Sequence, residues 1–270
     1  SNDKVDYATS KNIDFIICDH HRPGDTIPNA IAVLDPKRND CSYPYDELCG
    51  CGIGFKLVQA LHSSSGGKFS EIENYLDLVA VSIAADIVPV TGENRILASF
   101  GLIQINSNPR PAFKALFKLA GLKKEITISD LVFIAAPRIN AAGRVDHGSG
   151  AVEFLISQDA ERAEETAAAL NKHNLDRREL DKTITTHAIQ LITDDARYSN
   201  RKSTVVFHPE WHKGVVGIVA SRLIERWYRP TIVLTESDGK VTGSARSVRD
   251  FDVYETIEAC SDLLIQFGGH

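Results

Sequence analysis

The sequence predicts an α/β protein of two domains, a mostly parallel-sheet domain joined by a long helix to a smaller α/β domain. Three observations carry this expectation. In the first half, short β-branched and aromatic runs alternate with longer helical patterns, as in a parallel sheet covered on both faces. From Ala151 to Ile192 the chain becomes charged and alanine-rich with helical periodicity. After Tyr198-Ser199-Asn200 a second alternation of strands and helices begins. The domains are therefore expected over residues 1–150 and 196–270, with a connecting helix over 151–195. A chain of 270 residues, 43% hydrophobic and 24% charged, has enough apolar mass for both cores.

The elements follow in order. Asp3–Ser10 reads as the middle of a helix. Ile13–Cys18 (IDFIIC) reads as a buried strand, closed by a charged cluster and the Pro23-Gly24 turn. Ala30–Leu34 is a second short strand, and Asp35-Pro36 opens a loop. Gly50–Leu61 is a helix opened by glycines, with Cys49-Gly50-Cys51 as its entry turn rather than a zinc site, since no second cysteine pair exists. Ile72–Ala85 is a largely buried helix broken at Asp86-Ile87-Val88-Pro89. Glu93–Ile105 resumes as helix and stops at Asn106–Pro109, and Leu131–Ala136 reads as a strand. In the connector, Ala160, Ala163, Ala167, Leu170, Leu180, Ile184, Ala188 and Leu191 recur at helical spacing. Forty such residues make a rod of ~60 Å if unbroken, long enough to join two lobes. The second domain reads as strand Ser203–Phe207, helix Val215–Trp227, strands Thr231–Thr235 and Lys240–Ala245, and helix Val253–Leu264.

Charge and composition exclude several classes. Thirty Lys and Arg against 36 Asp and Glu leave a net charge of −6, so bulk positive charge does not carry this chain onto nucleic acid, though a local basic groove would. Its longest uncharged apolar stretch, Leu78–Ala85, is far short of the ~20 residues of a membrane span. Five scattered cysteines, an odd number, argue against a disulfide framework and for a reducing cytoplasm. There is no methionine, and the chain stops on Gly268-Gly269-His270, which reads as a sequence incomplete at both ends.

Chemistry-bearing residues fall at element ends. Asp19-His20-His21 follows the first strand, at the sheet edge where open α/β sheets bind ligands. A carboxylate and two imidazoles there suit a divalent ion, against the plainer reading of a solvated loop. Asp86 ends an apolar helix, where a carboxylate must be paired, capping or metal-bound; a salt bridge to Arg95 is the plain alternative. Pro137–Arg144 (PRINAAGR) sets Arg138, Asn140 and Arg144 among small residues, a pattern suited to phosphate, in what reads as another strand-end loop. In the second domain Trp211–Gly217 (WHKGVVG) opens a helix, and Gly243–Ser247 (GSARS) follows a strand. With Gly268-Gly269-His270, these suggest a phosphate-rich ligand. His147, His173, His187 and His208 lack partners at ligand spacing, and Trp227 and Tyr228 read as interdomain packing.

Taken together, IDFIICDHHRPG (Ile13–Gly24), LDPKR (Leu34–Arg38), GCGIGFKL (Gly50–Leu57), ADIVPVTGENR (Ala85–Arg95) and PRINAAGR resemble the DHH phosphoesterase family. The stretch from Trp211 through GSARS to GGH resembles the DHHA1 domain that follows it in that family. The resemblance implies hydrolysis of phosphodiesters by two divalent metal ions, Mn²⁺ or Mg²⁺. It makes His20 and Asp86 metal ligands, sets His21 against the scissile phosphate and gives Asp19 a supporting role. Arg138, Asn140 and Arg144 would hold nucleic-acid phosphates, and Ser244, Arg246 and His270 the strand or its 5′ end. A second domain facing the metal lobe across a cleft would then sense that end. Within the family the extra segments and long helix point to a cytoplasmic 5′→3′ exonuclease of single-stranded DNA, acting in repair and recombination. Its implied partners are a single-strand-binding protein and a helicase. The alternatives are an oligoribonuclease, a cyclic-dinucleotide phosphodiesterase, or a non-catalytic nucleic-acid-binding relative. One departure matters: the family's first two acidic motifs, which precede the DHH strand, are absent, so the chain alone is expected to be inactive.

Overall fold

The structure is a computed structural model that describes the chain apart from residues 1, 25, 87, 146–147 and 269–270, and apart from the side chains of 142–148. It forms two compact units, Ser1–Leu170 and Asn171–His270.

The first unit opens with α1 (Asn2–Ser10), followed by β1 (Ile16–Cys18) and β2 (Ala32–Leu34). These strands pair in parallel with Ile17 opposite Val33, and the ladder continues past β1 through Asp19 N–H donating to Leu34 O at 2.9 Å. The expected mostly parallel sheet is thus a two-stranded one among the described residues, and the unit is chiefly helical. Nor is β1 a buried strand. Ile13, Phe15 and Ile16 are exposed, because β1 has a described neighbour on one side only.

The core is built by helices α2 (Gly50–Ser64), α3 (Leu76–Asp86), α4 (Gly92–Ser107) and α5 (Pro111–Leu119). Cys49 caps α2, its Sγ accepting from Gly52 N–H at 3.3 Å, as the entry-turn reading expected. Helix α3 buries Leu76, Val79, Ala80 and Ile83 together with the carboxylate of Asp77, which the Arg110 guanidinium pairs. Burial pushes the Asp77 carboxyl up, and Arg110 opposes that shift. Helix α5 escaped the sequence reading, although Pro111 at its first turn and buried Phe113, Leu116 and Phe117 give it an amphipathic face. Where α4 crosses α3, Gly101 allows backbone contact: a Cβ there would lie 2.2 Å from Leu76 O and 2.6 Å from Ala80 Cβ. Gly101→Ala should therefore destabilise the unit by ~1–3 kcal/mol through overpacking, read as a lower urea midpoint. An unchanged midpoint would show that the α3–α4 crossing yields freely.

Leu131–Ala136 is not a strand. Thr127 and Asp130 form a reciprocal capping box that starts a helical turn, α6 (Ile128–Asp130). A π-helical turn (Leu131–Ala135) and α7 (Ala136–Val145) continue it. Leu131 and Ala135, four apart, are buried while Phe133 between them is exposed, which is helical and not strand alternation. PRINAAGR accordingly lies on a helix instead of a strand-end loop.

The long connector also differs from its expected span. α8 (Gly148–Ile156) is separate, and α9 (Ala160–Asp194) starts where Asp159 Oδ1 accepts from the amides of Glu161 and Arg162. Its 35 residues correspond to ~50 Å at the α-helical rise. Ala163, Ala167 and Leu170 belong to the core of the first unit, and Ile184, Ala188 and Ile192 to that of the second.

In the second unit β3 (Thr204–Phe207) runs parallel to β4 (Thr231–Ser237), with α10 (Val216–Arg226) between them in sequence. β5 (Lys240–Arg246) is antiparallel to β4, with Val233 opposite Ser244. Val216, Val219, Ala220 and Leu223 bury one face of α10 in a core that contains Val206 and Val233. Trp227 packs against this same core, and Tyr228 is exposed. The last expected helix is shorter: α11 (Val253–Glu258) stops early, and Leu263, Leu264 and Ile265 beyond it are exposed. No helix among the described residues is long and apolar enough to cross a membrane.

Candidate active site

The parallel pairing of β1 with β2 carries the chain to Asp19 and His20 at the strand's C-terminal end. Asp19 folds its carboxylate back on the turn. Oδ1 accepts from the His20 amide at 2.8 Å and the His21 amide at 3.2 Å, and lies 2.7 Å from His21 Nδ1. Burial raises the Asp19 carboxyl, but the hydrogen bonds from His21 and the two amides outweigh it and hold the group below its ordinary range. Asp19 thus orients the His21 ring.

The neighbouring rings part ways. His21 is half exposed, whereas the His20 side chain is only 12% exposed and turns inward. There His20 Nε2 lies 3.2 Å from Asp86 Oδ2, at the C-terminal end of α3. Burial holds the His20 imidazole below its ordinary range, with the Asp86 carboxylate opposing. A ring so shifted is neutral near pH 7, the form that ligates a metal. Asp86 therefore meets His20, while Arg95, its alternative partner from sequence, is exposed. Gly50, at the start of α2, lines the same ring: a Cβ there would lie 3.5 Å from His20 Cδ2.

An imidazole nitrogen and a carboxylate oxygen converging on one point fit a Mn²⁺ or Mg²⁺ ligand pair in chemistry. Among the described residues no group of three His, Cys, Asp or Glu side chains gathers into a fuller set. Glu93 forms a second polar knot in the same unit, accepting from Tyr43 Oη at 2.6 Å and Lys56 Nζ at 3.1 Å. Burial, and then Glu93, push the Tyr43 hydroxyl well above its ordinary range.

The phosphate candidates divide. Arg138 on α7 donates through Nη1 to Ile134 O at 2.8 Å, and Asn140 is exposed on the same helix. The Arg144 side chain and His270 lie outside the described residues. In the second unit Ser244 and Arg246, both on β5, meet the first turn of α10. Arg246 Nη1 donates to Ser244 Oγ at 3.0 Å, and its Nε to Ser221 Oγ at 3.3 Å. A Cβ on Gly217 would lie 3.0 Å from Ser244 Oγ and 3.1 Å from Arg246 Nη2, so the glycine admits this close approach. Ser221 was missed by the sequence reading; its signal is the helical i+4 spacing from Gly217 within α10. His187 and His208 pack with Trp211, whose Nε1 donates to His187 Nδ1 at 3.3 Å, as a packing role expects.

Residues 1–83 match the DHH family, N-terminal domain, and residues 200–270 match the DHHA1 domain. The chain thus carries a DHH-family N-terminal domain and a DHHA1 domain. It is homologous to the single-stranded-DNA-specific exonucleases called RecJ. It is 40% identical to that of Bacillus subtilis (strain 168) over 267 residues, covering 97% of this chain and 33% of that protein. The crystal structure of RecJ in complex with Mn²⁺ from Thermus thermophilus matches with a TM-score of 0.87 and 30% identity, over 100% of this chain and 39% of that one. The same organism's RecJ in complex with Mg²⁺ matches with a TM-score of 0.79 and 29% identity, over 96% and 38%. The chain spans between about a third and a half of the curated relatives it matches.

Proposed function

We propose that the full-length protein is a metal-dependent exonuclease that degrades single-stranded DNA from its 5′ end, in DNA repair and recombination. The convergence of His20 and Asp86 at the end of β1, in a chain homologous to RecJ, carries this reading. Mn²⁺ or Mg²⁺ would be held by His20 and Asp86 with donors from the rest of the protein, and would supply water activation and charge stabilisation at the phosphorus. His21, oriented by Asp19, faces the scissile phosphate. Arg138, Asn140 and Arg144 bind phosphates along the strand, and Ser244, Arg246 and His270 hold its 5′ end. Hydrolysis and the phosphate contacts of Arg138, Asn140 and Arg144 belong to residues 1–150, holding of the 5′ end to 196–270, and residues 151–195 connect them. A single-strand-binding protein and a helicase are the partners such a nuclease would work beside, in the cytoplasm.

The test is digestion of end-labelled DNA by the full-length protein with Mn²⁺. Mononucleotides should accumulate from the 5′ end of single strands and not from duplexes. Cleavage of RNA dimers or cyclic dinucleotides with long single-stranded DNA left intact would replace this reading with the small-substrate phosphodiesterase one.

A further inference from the structure

We infer that Asn94 is a positioning residue that holds Asp86 against His20. This rests on the assignment of His20 and Asp86 as metal ligands. Asn94 sits in the first turn of α4 and is wholly buried. Its Nδ2 donates twice, to Glu47 O at 2.6 Å and to Pro89 O at 3.0 Å. Those carbonyls belong to the two segments that frame the ligand pair. Pro89 lies in the segment that leaves Asp86, and Glu47 lies just before Gly50, which packs against the His20 ring.

Two features separate this clamp from ordinary packing. Both acceptors are backbone carbonyls, so only the amide nitrogen of Asn94 satisfies them and the orientation of the side chain follows. Its Oδ1 is buried with no hydrogen-bond partner among the described residues, a burden that an apolar side chain of similar size would not carry. The clamp also has a firm base and a second jaw. Glu93, beside Asn94, is tied to Tyr43 and to Lys56 on α2. Tyr45 donates to the same Pro89 carbonyl at 3.2 Å. The metal-ligand pair is thus set by a hydrogen bond from a residue that touches neither ligand, and outer contacts of this kind tune metal sites.

The decisive variant is Asn94→Asp in the full-length protein, which keeps the shape and replaces the donor with an acceptor. Mn²⁺ affinity, followed by electron paramagnetic resonance titration, should fall about tenfold or more. Amide exchange in the metal-free protein should quicken over residues 86–92 and 46–50, and kcat should fall while KM for single-stranded DNA holds. Tyr45→Phe, which removes only the outer jaw, should shift the same readouts in the same direction by a smaller factor. A folded Asn94→Asp protein with unchanged Mn²⁺ affinity and exchange would overturn the inference. If that variant does not fold, unchanged readouts in Tyr45→Phe would overturn it. His20→Ala and Asp86→Ala separate the two levels: if both keep Mn²⁺ affinity, the ligand assignment fails, and if both lose it while the clamp variants do not, only the role of Asn94 fails.

Discussion

Replacing His20 or Asp86 with alanine in the full-length protein should abolish hydrolysis and leave most single-strand affinity in place. The two effects part because they come from different contacts. His20 and Asp86 meet at one point, 3.2 Å apart, and a metal held there would lose both affinity and placement with either donor gone. Affinity for a strand would instead come from phosphate contacts spread along the protein, and counterion release makes each such contact a modest share of the total. The measurement pairs turnover on end-labelled single strands with a binding isotherm at fixed salt. A His20→Ala protein with near-normal turnover would sink the metal assignment, whatever its affinity.

The second large effect is expected at Arg246. A nuclease that starts from one end must recognise that end, and a 5′-terminal phosphate carries more negative charge than an internal diester. Ser244 and Arg246 stand two apart on β5 and so share a face, which meets α10 at Gly217 in its first turn and Ser221 one turn on. A helix N-terminus, two hydroxyls and a guanidinium together are groups that suit an anion. Removing one charge-assisted contact costs ~1.5–3 kcal/mol, roughly ten- to a hundredfold. Arg246→Ala should therefore lower kcat/KM by that factor on 5′-phosphorylated strands and far less on 5′-hydroxyl strands. Gly217→Ala, which crowds Arg246 by a few tenths of an ångström, should show the same preference in weaker form. An equal loss on both substrates would show that Arg246 follows the backbone, and end recognition would move to other residues.

How much of this was legible in the chain follows from the range of the forces. Local signals held: IIC is a strand that ends at Asp19, Cys49 opens α2, Pro109 follows the end of α4, and the small apolar positions of α9 recur at helical spacing. Leu131–Ala136 failed because a short apolar run has no period long enough to separate strand from helix, and the Thr127–Asp130 capping box ahead of it decides for helix. The buried-strand reading of Ile13–Cys18 failed because burial depends on which neighbours a strand finds, and β1 has one among the described residues.

The amino-acid order by itself singled out the candidate residues and set Asp19, His20 and Asp86 at element ends, whereas Arg138 and Asn140 lie on α7 and Ser244 and Arg246 within β5. The fold decided who meets whom: Asp86 pairs with His20 and not Arg95, Arg246 reaches Ser221 and Gly217 on another element, and Asn94 ties Glu47 to Pro89. Hydrogen bonds and ion pairs act over about 3 Å, whereas sequence reports neighbours along the chain. Only packing the helices and strands together brings such distant groups within that reach.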